Sequence, residues 1–211
     1  MINIIFVFLV HFCIKTYVPF FQIINTDLYL IDQILKGRFD HTKSVLDVGC
    51  GTGRNLPYFL HGDFEVFGID SDEKQINELI HNKRVNRANF KVARADNIPF
   101  NNIEFDLIIC NALLHFANDK EHFERMLQSM WNRLEQGGIL FMRLASNIGI
   151  EPLIEPMGNG KYALPDGTIR YLVDQNELLK YTENMNATLV EEIKTTNVQD
   201  MRCMTTWILK K

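Results

Sequence analysis

Cysteine is scarce: four residues in a chain of 211, at positions 13, 50, 110 and 203. None forms a C-x-x-C pair or a metal-ligand spacing with histidine, which argues against a disulfide framework and a zinc site. Cys50 and Cys110 lie in apolar, strand-like segments and read as free buried thiols of a reducing, cytoplasmic setting. Excess positive charge is also missing. Lys and Arg number 22 against 26 Asp and Glu, a net charge of −4, and no dense basic run is present. A nucleic-acid backbone as partner is therefore disfavoured. A bilayer-spanning apolar run is absent as well, since about 20 residues are needed. The longest candidate, Ile2 to Ile14, is shorter and is interrupted by Asn3 and His11. It makes a poor export signal, with no Lys or Arg before it and no small-x-small site before Pro19. Residues 1–20 stay open between a packed segment, a membrane-associating or export segment, and a misplaced start. Internal repeats, low-complexity tracts and long charge runs are lacking too.

What remains is an ordinary globular balance of 46% hydrophobic and 23% charged residues, enough for one domain over 21–211. Spacings of three and four from Ile23 to Leu35 predict a helix stopped by Gly37. Strands are then predicted at Ser44–Val48, Glu65–Ile69, Asn89–Ala93, Phe105–Cys110 and Ile139–Leu144. Helices are predicted at Asn55–Leu60, Asp72–Lys83 and Lys120–Leu134, with Gly137-Gly138 ending the last connection. Strand–helix alternation of this kind means parallel units with right-handed crossovers and a sheet covered on both faces. The rhythm breaks at Ser146–Leu172, which holds four of the twelve glycines and three of the six prolines. Residues 162–170 read as a hairpin about Pro165-Asp166-Gly167. Asp174 and Glu177 form a capping box opening a helix to about Met185. Thr188–Thr196 and Cys203–Leu209 supply two closing strands. The segment 146–174 is either a substrate-side lid or an ordinary surface hairpin.

The chemistry concentrates in Val45-Leu-Asp47-Val-Gly49-Cys50-Gly51-Thr-Gly53-Arg54-Asn55. Glycines at alternate positions after a strand let the chain turn sharply and let a ligand lie against bare backbone, beyond the carboxyl end of the first strand. A dinucleotide would require G-x-G-x-x-G with pyrophosphate at the helix N-terminus. Here Arg54 stands at the position of the last glycine, and the Asp47 carboxylate would repel a pyrophosphate. A cationic, phosphate-free nucleoside avoids that conflict.

The run VLDVGCGTG resembles the first motif of the class I S-adenosylmethionine-dependent methyltransferases, and companion segments follow in order. The resemblance implies a Rossmann-like, doubly wound α/β fold, with a mostly parallel seven-stranded sheet and an antiparallel last strand. It implies S-adenosylmethionine as cofactor, contacted by Asp47, Gly49, Cys50, Gly51, Gly53 and Asn55. Asp70 and Ser71, ending the second strand, fall where the family binds the ribose hydroxyls. Asp96 and Asn97 fall where it binds adenine, with Ile98 as a wall of the ring. Asn111, ending the fourth strand, lies beside the methionine portion. His115 is the one catalytic candidate: a general base, a substrate ligand, or a residue that orients its loop. Arg143, Tyr162 and Arg170 are substrate candidates, and Arg143 either points into the cleft or pairs with a neighbouring acid. The resemblance is specific over about 25–145 and looser beyond.

No metal and no covalent nucleophile is called for. The predicted function is methyl transfer to a small-molecule acceptor. The alternatives are a non-catalytic cofactor-binding regulator or partner protein, and an RNA methyltransferase. Against the latter stands the absence of an aromatic Asn-Pro-Pro-Tyr motif, since Asn111 is followed by Ala112-Leu113. A dehydrogenase ranks behind both.

Overall fold

The computed structural model describes residues 23–211. The readings made for residues 1–20 fall outside the described residues. The described chain opens with α1 (Leu28–Leu35), β1 (Ser44–Val48), α2 (Pro57–His61), β2 (Glu65–Asp70), α3 (Glu73–Leu79), β3 (Phe90–Val92) and β4 (Phe105–Asn111). It continues with α4 (Lys120–Trp131), β5 (Leu134–Ser146), β6 (Glu155–Gly158), β7 (Lys161–Ala163), β8 (Ile169–Tyr171), α5 (Gln175–Asn184), β9 (Thr188–Leu189), β10 (Lys194–Val198) and β11 (Arg202–Lys210).

The main sheet runs in the order β10-β11-β5-β4-β1-β2-β3, with β9 also paired to β11. Strands β1 to β5 are mutually parallel, whereas β11 is antiparallel to β5 and to β10. From β1 the chain moves first to one side, through β2 and β3, and then to the other, through β4 and β5. The carboxyl ends of β1 and β4 therefore meet at the switch point where open α/β sheets bind ligands. The predicted doubly wound fold with an antiparallel closing strand is what the molecule adopts. The expected seventh-strand count rises to eight because the stretch read as one strand over 188–196 divides into β9 and β10.

Side-chain alternation builds two cores. On one face Leu46, Val48, Phe67, Ile69 and Ile108 pack with Phe123, Met126, Leu127, Met130 and Trp131 of α4. On the other, Val45, Val66, Leu107, Ile109 and Phe141 pack with Leu30 of α1, Phe59 of α2, and Ile76 and Leu79 of α3. Burial on both faces explains why β1, β4 and β5 are almost continuously apolar. It also makes Asp47, within β1, the exception to be explained.

Two expectations about the fifth strand change. The helix predicted to Leu134 stops at Trp131, and Leu134 already pairs with Phe105 as the first residue of β5. Gly137-Gly138, read as the end of the connection, lies inside β5 as a bulge: Leu134 faces Phe105, yet Ile139 faces Leu107. The bulge is pinned by the chain's last residue, since Gly137 N donates to Lys211 O at 2.9 Å and Lys211 N donates to Gly138 O at 3.1 Å.

After β5 the small antiparallel sheet β6-β7-β8 stands at the same end of the main sheet as the turn after β1. Its Pro165-Asp166-Gly167 turn closes with Gly167 N to Leu164 O at 3.0 Å and with Asp166 Oδ1 accepting from Thr168 N at 3.0 Å. Leu164 and Leu172 pack on Ala145, and Tyr171 stacks on Phe123 with ring centres 5.2 Å apart. Strand β6 was not anticipated: Glu-Pro-Met-Gly has no alternation, and all four residues are exposed. The Asp174–Glu177 capping box forms at the start of α5 as the sequence requires.

Candidate functional site

The turn after β1 is shaped by backbone that only glycine adopts at little cost. Gly49, Gly51 and Gly53 have φ of +75°, +54° and +83°. At Gly53 the space is closed as well, because a Cβ there would stand 2.6 Å from Leu79 Cδ1. Strand β2 holds the turn: the amides of Gly49 and Cys50 donate to Ile69 O at 2.8 and 3.0 Å, and Gly51 N donates to Asp70 Oδ2 at 2.9 Å. The other oxygen of Asp70 accepts from Asp72 N at 2.9 Å. A single carboxylate thus ties the turn to the start of α3, and each oxygen keeps a free lone pair on the half-buried side chain. Ser71 lies beside it, exposed.

Asp47 is 1% exposed, and neither carboxylate oxygen has a hydrogen-bond partner among the described residues. Burial pushes its pKa up to about 7; the charge of Arg54 pulls it down, and that of Asp70 adds to the rise. An unpaired buried carboxylate is costly. Such a group survives where a ligand supplies the missing positive charge.

Across the switch point, Asn111 is buried; its Oδ1 accepts from Arg54 Nη2 at 3.3 Å, while its Nδ2 has no partner among the described residues. Ala112, next in the chain, has φ of +60°, and its amide donates to Arg143 O at 2.7 Å. Glycine turn, Asp47 and Asn111 together leave two buried polar side chains unanswered, an acceptor and a donor, beside bare backbone. That set, an unpaired carboxylate and an unpaired amide N–H beside bare backbone, is chemically compatible with a zwitterionic, cationic ligand such as S-adenosylmethionine, and the carboxylate opposes a pyrophosphate.

The remaining candidates divide by what they touch. Asp96 is gripped by Arg94, whose Nε and Nη2 lie 3.0 and 3.2 Å from the two oxygens, and its Oδ2 lies 3.5 Å from His122 Nε2. Arg94 holds the Asp96 carboxyl below its usual range. Asn97 is exposed next to it, and Ile98 is buried. Asn55 is buried, and its Oδ1 accepts from Asp27 N at 3.1 Å. Cys50 buries its thiol, which burial drives upward in pKa, leaving its backbone to the turn.

Arg143 takes the second of its two readings. Its Nη1 is 2.9 Å from Asp27 Oδ2, and its guanidinium lies over the Tyr29 ring at 4.9 Å. Asp27 was missed as a contributor. It caps α1, its Oδ1 accepting from Tyr29 N at 2.9 Å, and an Asp directly before Leu-Tyr-Leu-Ile is the signal that would have found it. Thr26 adds a bond from its hydroxyl to Arg54 O at 3.0 Å. The start of α1 is thereby latched onto the turn after β1 by Thr26 and Asp27, and onto β5 by Arg143.

His115 sits 7% exposed in the single helical turn Leu114–Phe116 beyond β4. Its Nδ1 accepts the Ala145 amide at 3.1 Å. Burial first, then the charges of Arg170 and Arg202, lower its pKa to about 4. Arg170 lies over the exposed Phe116 ring at 4.7 Å, and Tyr162 faces Arg170 across the β7–β8 pair. Arg202, on β11, carried no signal of its own in the sequence; sheet pairing alone delivers it here. Elsewhere, a surface groove of about 490 Å³ between α4 and α5 is lined by helix residues such as Glu124, Gln128 and Tyr181, and by none of the groups above. Among the described residues no three His, Cys, Asp or Glu side chains are placed to hold a metal, and no helix is long and apolar enough to cross a membrane.

Fold and turn together define a Rossmann-like domain with a glycine turn and an unanswered buried carboxylate at the switch point of its sheet. Comparison with known proteins makes this specific. Residues 45–138 match the family model of a methyltransferase domain. The chain is 33% identical over 108 residues to ribosomal protein L11 methyltransferase of Aquifex aeolicus, covering 51% of this chain and 41% of that protein. It is 27% identical over 143 residues to the probable S-adenosyl-L-methionine-dependent methyltransferase TehB of Haemophilus influenzae, covering 67% and 48%. The chain thus spans under half the length of these curated relatives. In three dimensions it resembles an S-adenosylmethionine-dependent methyltransferase from Clostridium acetobutylicum (TM-score 0.66, 14% identity, 98% of each chain). It also resembles the 1,6-didemethyltoxoflavin-N1-methyltransferase of Burkholderia thailandensis (TM-score 0.64, 19% identity, 84% and 75%). Residues 45–138 thus match a methyltransferase domain, and the fold of the chain is that of solved S-adenosylmethionine-dependent methyltransferases.

Proposed function

We propose that the protein transfers a methyl group from S-adenosylmethionine to a small-molecule acceptor, in the cytoplasm. One observation carries the reading: Asp47 is a buried carboxylate with no partner among the described residues, set beneath a glycine turn at the switch point of the sheet. When bound, the cofactor supplies an electrophilic methyl carbon on a sulfonium. The chain's own part is placement. Asp47 answers the positive end of the ligand, and the glycines at 49, 51 and 53 admit it against the backbone. Asp70, with Ser71 beside it, offers its remaining lone pairs to the ribose hydroxyls. Asp96, Asn97 and Ile98 border the adenine, and the amide nitrogen of Asn111 serves the methionine carboxylate. Water exclusion and alignment of the acceptor fall to the segment 146–174, the candidate lid.

A small acceptor is supported by the toxoflavin-precursor methyltransferase among the structural neighbours and by the net charge of −4, which disfavours RNA. The cytoplasmic setting is supported by Cys50, Cys110 and Cys203, all free and buried. Calorimetry tests the cofactor assignment. S-adenosylmethionine and S-adenosylhomocysteine bind, a nicotinamide dinucleotide does not, and the reverse pattern overturns the reading. Slow turnover of labelled cofactor in the presence of cell extract separates an enzyme from a non-catalytic binder.

A further inference from the structure

His115 cannot present a lone pair to the cleft. A backbone N–H only donates, so the Ala145 amide fixes Nδ1 of His115 as the acceptor, at 3.1 Å. The neutral ring then carries its proton on Nε2. The ring is kept neutral by burial and by the neighbouring guanidiniums of Arg170 and Arg202. What His115 turns outward is a hydrogen-bond donor.

The charges around it are unbalanced. Arg202 is answered by Asp166, at 3.4 Å. Arg170 has no carboxylate partner among the described residues, and residues 1–22 contain no acid. Among the described residues its one hydrogen bond goes to the carbonyl of Ile169, at 2.9 Å. Glu151 directs Oε1 to Gly149 N at 3.0 Å. Directly opposite residues of an antiparallel pair share a face, so Tyr162 and Arg170 project from the same side of the small sheet. Phe116, 54% exposed beneath Arg170, supplies an apolar floor. A guanidinium without a counter-ion, an N–H donor and two aromatic rings converge at the end of the sheet where the glycine turn lies.

We propose that this corner is the acceptor site and that the acceptor is an aromatic or otherwise apolar small molecule bearing an oxyanion, bound by Arg170 and the Nε2–H of His115, with His115 a donor and not the base. This rests on the methyltransferase reading for the word acceptor, whereas the anion site itself is built without any cofactor atom. The test uses benzoate, phenyl phosphate and neutral benzamide as probes, titrated by ligand-observed NMR into the full chain with and without S-adenosylhomocysteine. At least one anion binds about tenfold or more tightly than benzamide, as a charge-assisted contact requires. Whichever anion binds better distinguishes carboxylate from phosphate. Arg170→Gln abolishes the preference and Arg170→Lys retains part of it. His115→Asn keeps an oxygen for the Ala145 amide, so it preserves the thermal midpoint while removing the donor and weakening the anion several-fold; His115→Gln, which places an amide N–H near Nε2, regains part. Equal binding of benzoate, phenyl phosphate and benzamide overturns the proposal, as does an anion preference that survives both Arg170→Gln and His115→Asn. Anion preference in a protein that ignores S-adenosylhomocysteine leaves this site standing and sinks the methyltransferase reading; the opposite pattern does the reverse.

Discussion

Because the buried Asp47 carboxyl is pushed up to about 7, cofactor binding is expected to be linked to a proton. In the free protein at pH 7 the group is about half protonated, and at pH 6 about nine-tenths, by simple titration. A cationic ligand selects the ionised form, so binding at pH 6 must expel the proton. The apparent affinity for S-adenosylmethionine then falls about fivefold from pH 7 to pH 6, or about 1 kcal/mol. Proton release rises from about 0.5 to about 0.9 per ligand over the same interval. The window stays at or below pH 7 because the ligand's own α-ammonium titrates near 8. Calorimetry at each pH, in two buffers of different ionisation enthalpy, reads affinity and proton count together. Asp47→Asn cannot titrate, so it binds more weakly and loses this linkage. A wild-type affinity that is flat from pH 7 to 6 refutes the argument, and so does an Asp47→Asn variant with an unchanged slope.

Asp47 also predicts a stability effect of the opposite sense. A carboxyl whose folded pKa is raised from 3.8 to about 7 contributes stability that is complete below about pH 4 and lost as pH rises through 7. Asp47→Asn therefore raises the thermal midpoint of the ligand-free protein by several degrees at pH 8, by less at pH 5, and changes it little only at or below about pH 4, as scanning calorimetry will show. Asp70→Ala frees the amides of Gly51 and Asp72, each now bonded at 2.9 Å, and removes the proposed ribose acceptor; cofactor affinity drops about 10- to 100-fold in the same calorimetric titration. Gly53→Ala forces a Cβ into a φ of +83° and to 2.6 Å from Leu79, costing about 1–3 kcal/mol in urea unfolding. Asp27→Asn and Arg143→Gln, combined in a double-mutant cycle, show a coupling of about 1–3 kcal/mol across their 2.9 Å contact; additive effects would mean that this ion pair contributes nothing to the latch of α1.

Local signals fixed more of this fold than of its site. Strand β1 lies where its β-branched run predicts, at Ser44–Val48, because an apolar stretch ended by glycine has one reading inside an α/β sheet. The Asp174–Glu177 box and the Pro-Asp-Gly turn were equally legible, since each closes its own hydrogen bonds within four residues. Strand β6 and the bulge at Gly137-Gly138 were not, because pairing partners elsewhere decide them: β7 for the first, β4 and the carboxyl-terminal Lys211 for the second. The same division runs through the site. The glycine turn, Asp47 and Asp70 stood out because unusual residue types recur there at short spacing. The bonds of Asn55 to Asp27 and of Asp96 to Arg94 and His122 were invisible. So was the approach of Arg170 and Arg202 to His115. Most of these join segments that meet only after the sheet has assembled, and Arg94, two residues from Asp96, is told from a solvated neighbour only by its rotamer.

The position of Asp47 shows how cost and purpose are related here. Its neighbours Val45, Leu46 and Val48 are all fully buried, and an apolar residue at 47 would complete a strand that already packs on both faces. The chain instead keeps a carboxylate there, denies it a hydrogen-bond partner among the described residues, and places Arg54 close enough to act on its charge while leaving that side chain exposed and its Nη2 on Asn111. Pairing Asp47 with Arg54 inside the protein would relieve the burial penalty, but it would also consume the negative charge to which a cationic ligand is drawn. Under the proposed function, the same charge left uncompensated would favour the sulfonium and ammonium of the cofactor and oppose a dinucleotide's pyrophosphate, so a residue that costs stability would contribute to both affinity and choice of nucleoside.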